Sequence, residues 1–406
     1  MELTEGDDGL SRRASRAMAL MAVALIVILV AGFAYLRPQL SGVSKTSALP
    51  PGAPRSPTPP LLSDVYSAVY DFVSPSVGWA LVSDQTQSPR FWVFKTTDGA
   101  KHWHSQLTGT SPSAIQGLPH MQILDRDHGF VSVGDPIEIF RTIDGGSRWT
   151  PLTFPVYISA TAKFSDPQHG WIIGNAGSLL APVSRQISTS DGGDTWKDLP
   201  QAPTFPNGGK GGNLDSNFAF RSPIEGWLGG LEAPGKPVVY SSIDGGLSWQ
   251  PHHLPVDVAG VPSNGKGLAE GSDVYLIPGA GVLAVAFDPG GTIAGFTSFD
   301  GGGTWRRLPP PPGETAFSDY IFQDTFLWWA MRYGTLFKSN DAGQTWKEVA
   351  QETDEWDYVP GIIDAKHAWA HMLVVFPNTN PPHGTGLAMS SDGGIRWTPV
   401  SVPKPV

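Results

Sequence analysis

Several stretches of the chain have residue types and spacings that could do chemistry. Gly260 to Gly267, GVPSNGKG, has the Gly-x-x-x-x-Gly-Lys spacing of a loop that cradles phosphates on backbone N–H groups and a lysine. Gly267 stands where a Ser or Thr would bind magnesium, and no helical pattern follows, so the stretch reads as a connecting loop. GAGVLA from Gly279 imitates a dinucleotide fingerprint, again with no helix to receive it. Asp125 and Asp127, followed by Gly129, imitate a calcium loop, but its twelfth position is Pro136 instead of a bidentate Glu. His102 and His104 share a face of one strand with no third ligand evident, while His128, His169 and His367 recur at a single turn position. There is no Gly-x-Ser-x-Gly elbow, and with no cysteine there is no thiol nucleophile, thiolate site or disulfide. No catalytic residue, cofactor or metal is expected.

What does recur is an octapeptide: TTDGAKHW from Thr96, TIDGGSRW from Thr142, TSDGGDTW from Thr189, SIDGGLSW from Ser242, SFDGGGTW from Ser298, SNDAGQTW from Ser339 and SSDGGIRW from Ser390. Its aspartates are Asp98, Asp144, Asp191, Asp244, Asp300, Asp341 and Asp392, spaced by 46, 47, 53, 56, 41 and 51 residues. Its tryptophans are Trp103, Trp149, Trp196, Trp249, Trp305, Trp346 and Trp397. Asp-Gly and Gly-Gly supply the positive φ of a hairpin turn, and Trp starts a strand that buries a large ring. Four short strands with their turns take roughly 40 to 50 residues, which is one propeller blade. Upstream of the boxes, SPSVGWALV at Ser74, DRDHGFVSV at Asp125, SDPQHGWII at Ser165, SPIEGWLGG at Ser222 and DAKHAWAHM at Asp364 mark the turn between each blade's first and second strands. Blade five lacks a clear copy. The expected fold is all-β: a seven-bladed propeller over residues 63–406 with one box per blade. Either the terminal strands meet to close the ring, or Leu61 to Tyr66 joins the last blade as an exchanged strand.

The octapeptide resembles the Asp-box, or bacterial neuraminidase, repeat, Ser/Thr-x-Asp-x-Gly-x-Thr-Trp. The likeness runs from about residue 65 to 402 and implies that the box folds the turn between third and fourth strands, its Asp holding the loop's own backbone. The fifth position is Ala100 in the first copy, and the seventh is His102, Arg148 or Arg396 in three, departures expected to weaken a hydroxyl contact but not the turn. One seven-bladed ring with a box in every blade resembles the photosystem II stability/assembly factor family and, more distantly, the sialidase and sortilin-type propellers. The first resemblance implies a membrane-side binding scaffold without chemistry of its own. A sialidase-like or other glycoside hydrolase is the alternative. Its family would bring an arginine cluster and a Tyr/Glu pair, and the nearest match to its Phe-Arg-Ile-Pro sequence, Phe220-Arg221-Ser222-Pro223, falls on a blade turn.

Residues 17–36, AMALMAVALIVILVAGFAYL, form an uncharged run of 20 residues, long enough to cross a bilayer as a helix. Arg12, Arg13 and Arg16 precede it and only Arg37 directly follows, which places residues 1–16 in the cytoplasm and the propeller outside. SRRASR is similar to a twin-arginine signal, yet the apolar run exceeds a signal core and no small-x-small site follows cleanly, so a retained anchor is expected. Residues 37–62, rich in proline, form a semi-rigid stalk. From residue 61 onward there are 21 Lys+Arg against 33 Asp+Glu, which argues against a nucleic-acid partner.

A partner is expected on the face carrying the second-to-third loops and the blade connections, because variable loops on a rigid scaffold are where recognition concentrates. Arg90 and Glu232 lie in such loops, with Arg332 and Tyr333. The connection QETDEWDYVP from Gln351 adds Trp356, Asp357 and Tyr358, aromatics beside carboxylates that offer contact area and orientation. The expected partner is a membrane or envelope protein, or a glycan.

Overall fold

The computed structural model describes residues 62–405 apart from segments in the loops and connections, the longest being 201–217 and 256–270. The expected anchor at 17–36, its flanks, most of the stalk and the stretch around Lys266 lie outside the described residues. Seven antiparallel sheets follow one another as blades of a propeller: 66–110, 120–151, 157–198, 218–253, 271–307, 319–350 and 356–400. No helix occurs among the described residues, hence none long and apolar enough to cross a membrane.

Blade one shows why each sequence takes its place. Its inner strand, Tyr66–Phe72, alternates buried and half-buried residues. The second strand, Gly78–Asp84, is buried throughout because neighbouring sheets cover both its faces. The outer strand, His104–Thr110, is polar and mostly exposed. Phe72 pairs with Gly78, and the phenyl ring occupies the space that a side chain at Gly78 would need. The same Phe-opposite-Gly pair closes the inner hairpins of blades three and four at Phe164–Gly170 and Phe220–Gly226. After each glycine an aromatic enters the junction with the next blade. Phe130 stacks on Phe164 at 3.4 Å between centroids, and Trp171 stacks on Phe220 at 3.6 Å.

Blade five breaks this pattern. Its inner strand ends at Leu276, and Val282 and Leu283 stand where blades one, three and four have Gly and Trp. Its first-to-second turn is therefore Ile277 to Gly281, closed by the Ile277 N–H to Gly281 carbonyl bond. The fingerprint-like GAGVLA is this turn and the start of its second strand.

The first and last strands among the described residues close the ring. Thr398–Val400 pairs with one half of the last blade's third strand, His383–Ser390, and Leu62–Ser63 pairs with the other half. Leu62 and Val402 are buried together with Tyr70 and Phe72 of blade one, and the Trp103 indole donates to the Ser401 carbonyl at 2.9 Å. The ring thus begins at Leu62, the end of the stretch read as stalk, and the two modes of closure left open by the sequence coexist.

Candidate binding surfaces of the ring

The boxes are alike in all seven blades. The opening hydroxyl donates to the Asp Oδ1 and accepts the N–H of the fifth residue, as in Thr189 to Asp191 at 2.7 Å and Gly193 to Thr189 at 2.9 Å. The same Oδ1 accepts the N–H of the seventh residue, and Oδ2 takes that residue's side chain: Thr195 to Asp191 at 2.5 Å, Thr304 to Asp300 at 2.7 Å. In two of the three boxes whose seventh residue is not a hydroxyl, the missing hydroxyl contact is replaced by another side chain, and the turn stands in all three. His102 Nδ1 lies 2.6 Å from Asp98 Oδ2, and Arg396 Nε donates to Asp392 at 2.7 Å. A His or Arg N–H reaches the same oxygen. Among the described bonds Arg148 gives Asp144 its backbone N–H but no side-chain contact, and the Thr142 hydroxyl remains on the same carboxylate.

These bonds to the ionised form hold the box carboxyls below the usual carboxylate range, in Asp191 and Asp300 down to about 2 by the Thr195 and Thr304 hydroxyls first. With both oxygens engaged, such a carboxylate is no proton carrier at neutral pH. The box also fastens to its own blade: the N–H of the fourth residue donates to the carbonyl of the first-to-second turn, Gly99 to Ser76, Gly145 to Asp127, Gly192 to Gln168, Gly245 to Ile224, Ala342 to Phe326 and Gly393 to Lys366. Box turns and first-to-second turns thus share one face, and blade five has no such bond among those described. The turn histidines are local too: His128, His169 and His367 place Nδ1 within 2.8–3.0 Å of Asp125, Asp166 and Asp364. Arg221, of the sialidase-like tetrapeptide, is spent on the Glu225 carboxylate and the carbonyls of Ile277 and Gly281.

On the opposite face the expected residues are dispersed over the blades. Arg90 begins the third strand of blade one, exposed, with its N–H donating to Asp84 at 3.0 Å. Its guanidinium lies 4.8 Å from the centroid of the buried Trp92, which Tyr66 meets edge-on at 5.9 Å. Stacking on a ring holds the plane of a guanidinium in one orientation. Glu232, three blades away, is exposed and sits 3.2 Å from His253 Nε2. Arg332 ends a second strand and Tyr333 lies outside the described residues. Trp356, Asp357 and Tyr358 belong to the inner strand of blade seven, Trp356–Ile362, paired with Val374, Leu373 and Met372, and not to a blade connection as expected. They open that strand on the loop side of the ring.

The sequence reading missed the residues that tie neighbouring inner strands. Asp71 Oδ2 accepts the N–H of Ile123 at 3.0 Å. Gln122 accepts the Phe164 N–H at 2.9 Å and donates to the Phe164 carbonyl at 2.7 Å. Lys163 Nζ donates to the Phe218 carbonyl at 2.9 Å. Each is the penultimate residue of its strand. A polar residue recurring at that one position was the available signal.

No family model matches the chain, and no curated protein matches it in sequence. Solved structures do match. YCF48 bound to D1 peptide is 15% identical with a TM-score of 0.54, covering 82% of this chain and 99% of its own. An uncharacterized protein from Listeria monocytogenes is 7% identical with a TM-score of 0.50, covering 85% and 98%. YCF48 from Cyanidioschyzon merolae is 17% identical with a TM-score of 0.49, covering 71% and 86%. At these identities the likeness is one of fold, and the chain is a seven-bladed propeller of the architecture that YCF48 shares.

Proposed function

We propose that the chain is a membrane-anchored, extracytoplasmic scaffold that binds a protein partner on the loop face of its ring. The observation that carries the reading is the division of labour between the faces. The box carboxylates and turn arginine hold turns on one face, and the other face presents Arg90, exposed and stacked over Trp92 beside a loop. An arginine so placed suits a carboxylate or backbone carbonyls of an extended peptide. A ring of this fold, YCF48, has been solved with a D1 peptide, which supports a peptide or protein ligand over a small molecule. The apolar run at 17–36 anchors the chain, with the arginines before it inside and the ring outside.

The test is capture of the full chain from mild-detergent extracts after cross-linking in intact cells. A stoichiometric complex that is lost in Arg90→Ala, and weakened in Trp356→Ala and Tyr358→Ala, is the expected result. A complex that persists in all three overturns the choice of face. Turnover of sialosides or β-glucans by the purified chain would instead support the hydrolase reading. Protease added outside intact cells should release the ring, and cleavage only after lysis would reverse the orientation.

A further inference from the structure

All the large apolar side chains that stand exposed among the described residues lie on the box face. Three occupy the second position of a box: Ile143 in blade two, Ile243 in blade four, 80% exposed, and Phe299 in blade five, 44% exposed. Leu247 and Ile395 occupy the sixth position in blades four and seven. Ile224 and Phe326, the latter 63% exposed, sit at one position of the first-to-second turn, where their carbonyls accept the box N–H.

Two features of the arrangement identify what it fits. Equivalent positions of a repeat in a closed ring stand at equal height, so these tips lie in planes parallel to the ring instead of lining a groove. They are also densest over three consecutive blades whose turns are joined. Arg221 of blade four reaches the carbonyls of Ile277 and Gly281, Thr325 of blade six donates to the Pro278 carbonyl at 3.0 Å, and the Phe299 ring covers Gly281. Ile224, Ile243, Leu247, Phe299 and Phe326 therefore stand along one arc of the box face. Separate apolar tips in a plane match the interfacial layer of a bilayer better than a protein surface, which packs against concave or continuous patches.

We infer that the box face of the ring docks on the lipid surface to which the chain is anchored, with blades four to six inserting their turn tips and the loop face turned away toward the partner. The inference rests on the reading of 17–36 as an anchor. The 25 residues from 37 to 61 are long enough for either face to reach the bilayer, and tethering makes weak insertion sufficient by raising the effective concentration of the surface.

Because the chain has no cysteine, single labels are unambiguous. The full chain is reconstituted in vesicles of phosphatidylcholine with a minor share of phosphatidylglycerol, carrying acyl chains with a doxyl quencher near the carbonyls. Bimane is attached at Ile243→Cys, Phe299→Cys or Phe326→Cys, and at Lys236→Cys on the loop face as reference. Expected is loss of most of the emission at the three box-face sites with little change at the reference. In Phe299→Cys, adding Ile243→Asp and Phe326→Asp should restore emission while the chain still floats with the vesicles. Equal quenching on both faces, quenching of the reference alone, or flotation without quenching overturns the docking and leaves the anchor standing; in the last case an apolar protein partner takes its place. A chain that fails to float overturns the anchor reading and the docking together.

Discussion

The junctions among blades one to four are tied differently from those among blades five to seven. In the first group a side chain of one blade binds the backbone of the next: Asp71, Gln122 and Lys163 at the inner strands, and Lys95, Arg141 and Gln186 at the box carbonyls of Gly145, Gly192 and Gly246. In the second group the corresponding inner-strand positions are Tyr275, Ile321 and Gly361, and the contacts are between rings and aliphatic chains. Tyr275 meets Tyr320 at 6.3 Å, Ile321 packs with Ile362, and Trp329 lies against Gly394. The boundary is the junction of blades four and five, where the box carbonyls give way to His252, held between Ser241 at 2.7 Å and the backbone of Gly302. At the inner strands and boxes the described contacts are thus directional bonds in one half and packing in the other, while at the first-to-second turns Thr325 bonds the Pro278 carbonyl between blades six and five. The repeat constrains the turn within a blade more strictly than the seam between blades.

The sharpest way to break this contrast is to remove one member of each half. Trp329→Ala, at a fully buried ring, should cost ~3–5 kcal/mol as a cavity opens between blades six and seven. Gln122→Ala strands the N–H and carbonyl of Phe164 and should cost less, ~1–3 kcal/mol. Denaturant titration of the two variants compares them directly. Equal losses would mean that Gln122 works by filling space.

A pH series separates a charged seam of the first half from the boxes common to both. Burial against blade two pushes the Asp71 carboxyl up to about 6, against the lowering effect of the Ile123 and Phe72 N–H groups. Its folded value lies above its free one, so its contribution is full below about pH 4 and is lost as pH rises through about 6. The boxes act in the opposite sense: Asp191, Asp300 and Asp392 sit near 2, so their support is present above about pH 4 and is lost as pH falls toward 2. Asp71→Asn should abolish the decline on the neutral side, a gain at pH 7 of ~1–2 kcal/mol after allowing for the partial exposure of the residue, and leave the acid limb unchanged. Melting curves from pH 2 to 7 check both limbs.

The smallest effect is expected within a single turn. Ala342 has φ of 56°, where the boxes of the other blades place glycine. Ala342→Gly should relieve the strain of a left-handed alanine and stabilise by ~0.5 kcal/mol after the added freedom of the unfolded chain is counted. A melting temperature that falls would show that the Ala342 methyl earns its place by packing.

The blade count and the boxes were legible because Asp, Gly and Trp act locally, within eight residues of chain. The seams were not legible for the opposite reason. Gln122 and Phe164 are 42 residues apart and Lys163 and Phe218 are 55 apart, so nothing near Gln122 or Lys163 in sequence announces the partner. The turn of blade five escaped because Val282 and Leu283 fill the place of Gly-Trp by aliphatic packing. Trp356 to Tyr358 were assigned to a connection because their acidic neighbours mask the alternation of a strand, which the pairing with Val374 to Met372 reveals.

The closure has a mechanical consequence. Leu62 shares the edge of His383–Ser390 with the final strand and, among the described residues, the entry is gripped by two residues of pairing and one buried side chain. Tension arriving through the segment before it is delivered to that seam and not to the interior of a blade. Blades one and seven would part there first, so the strength of the whole ring under load is the strength of a short clasp around Leu62, Leu387 and Val402.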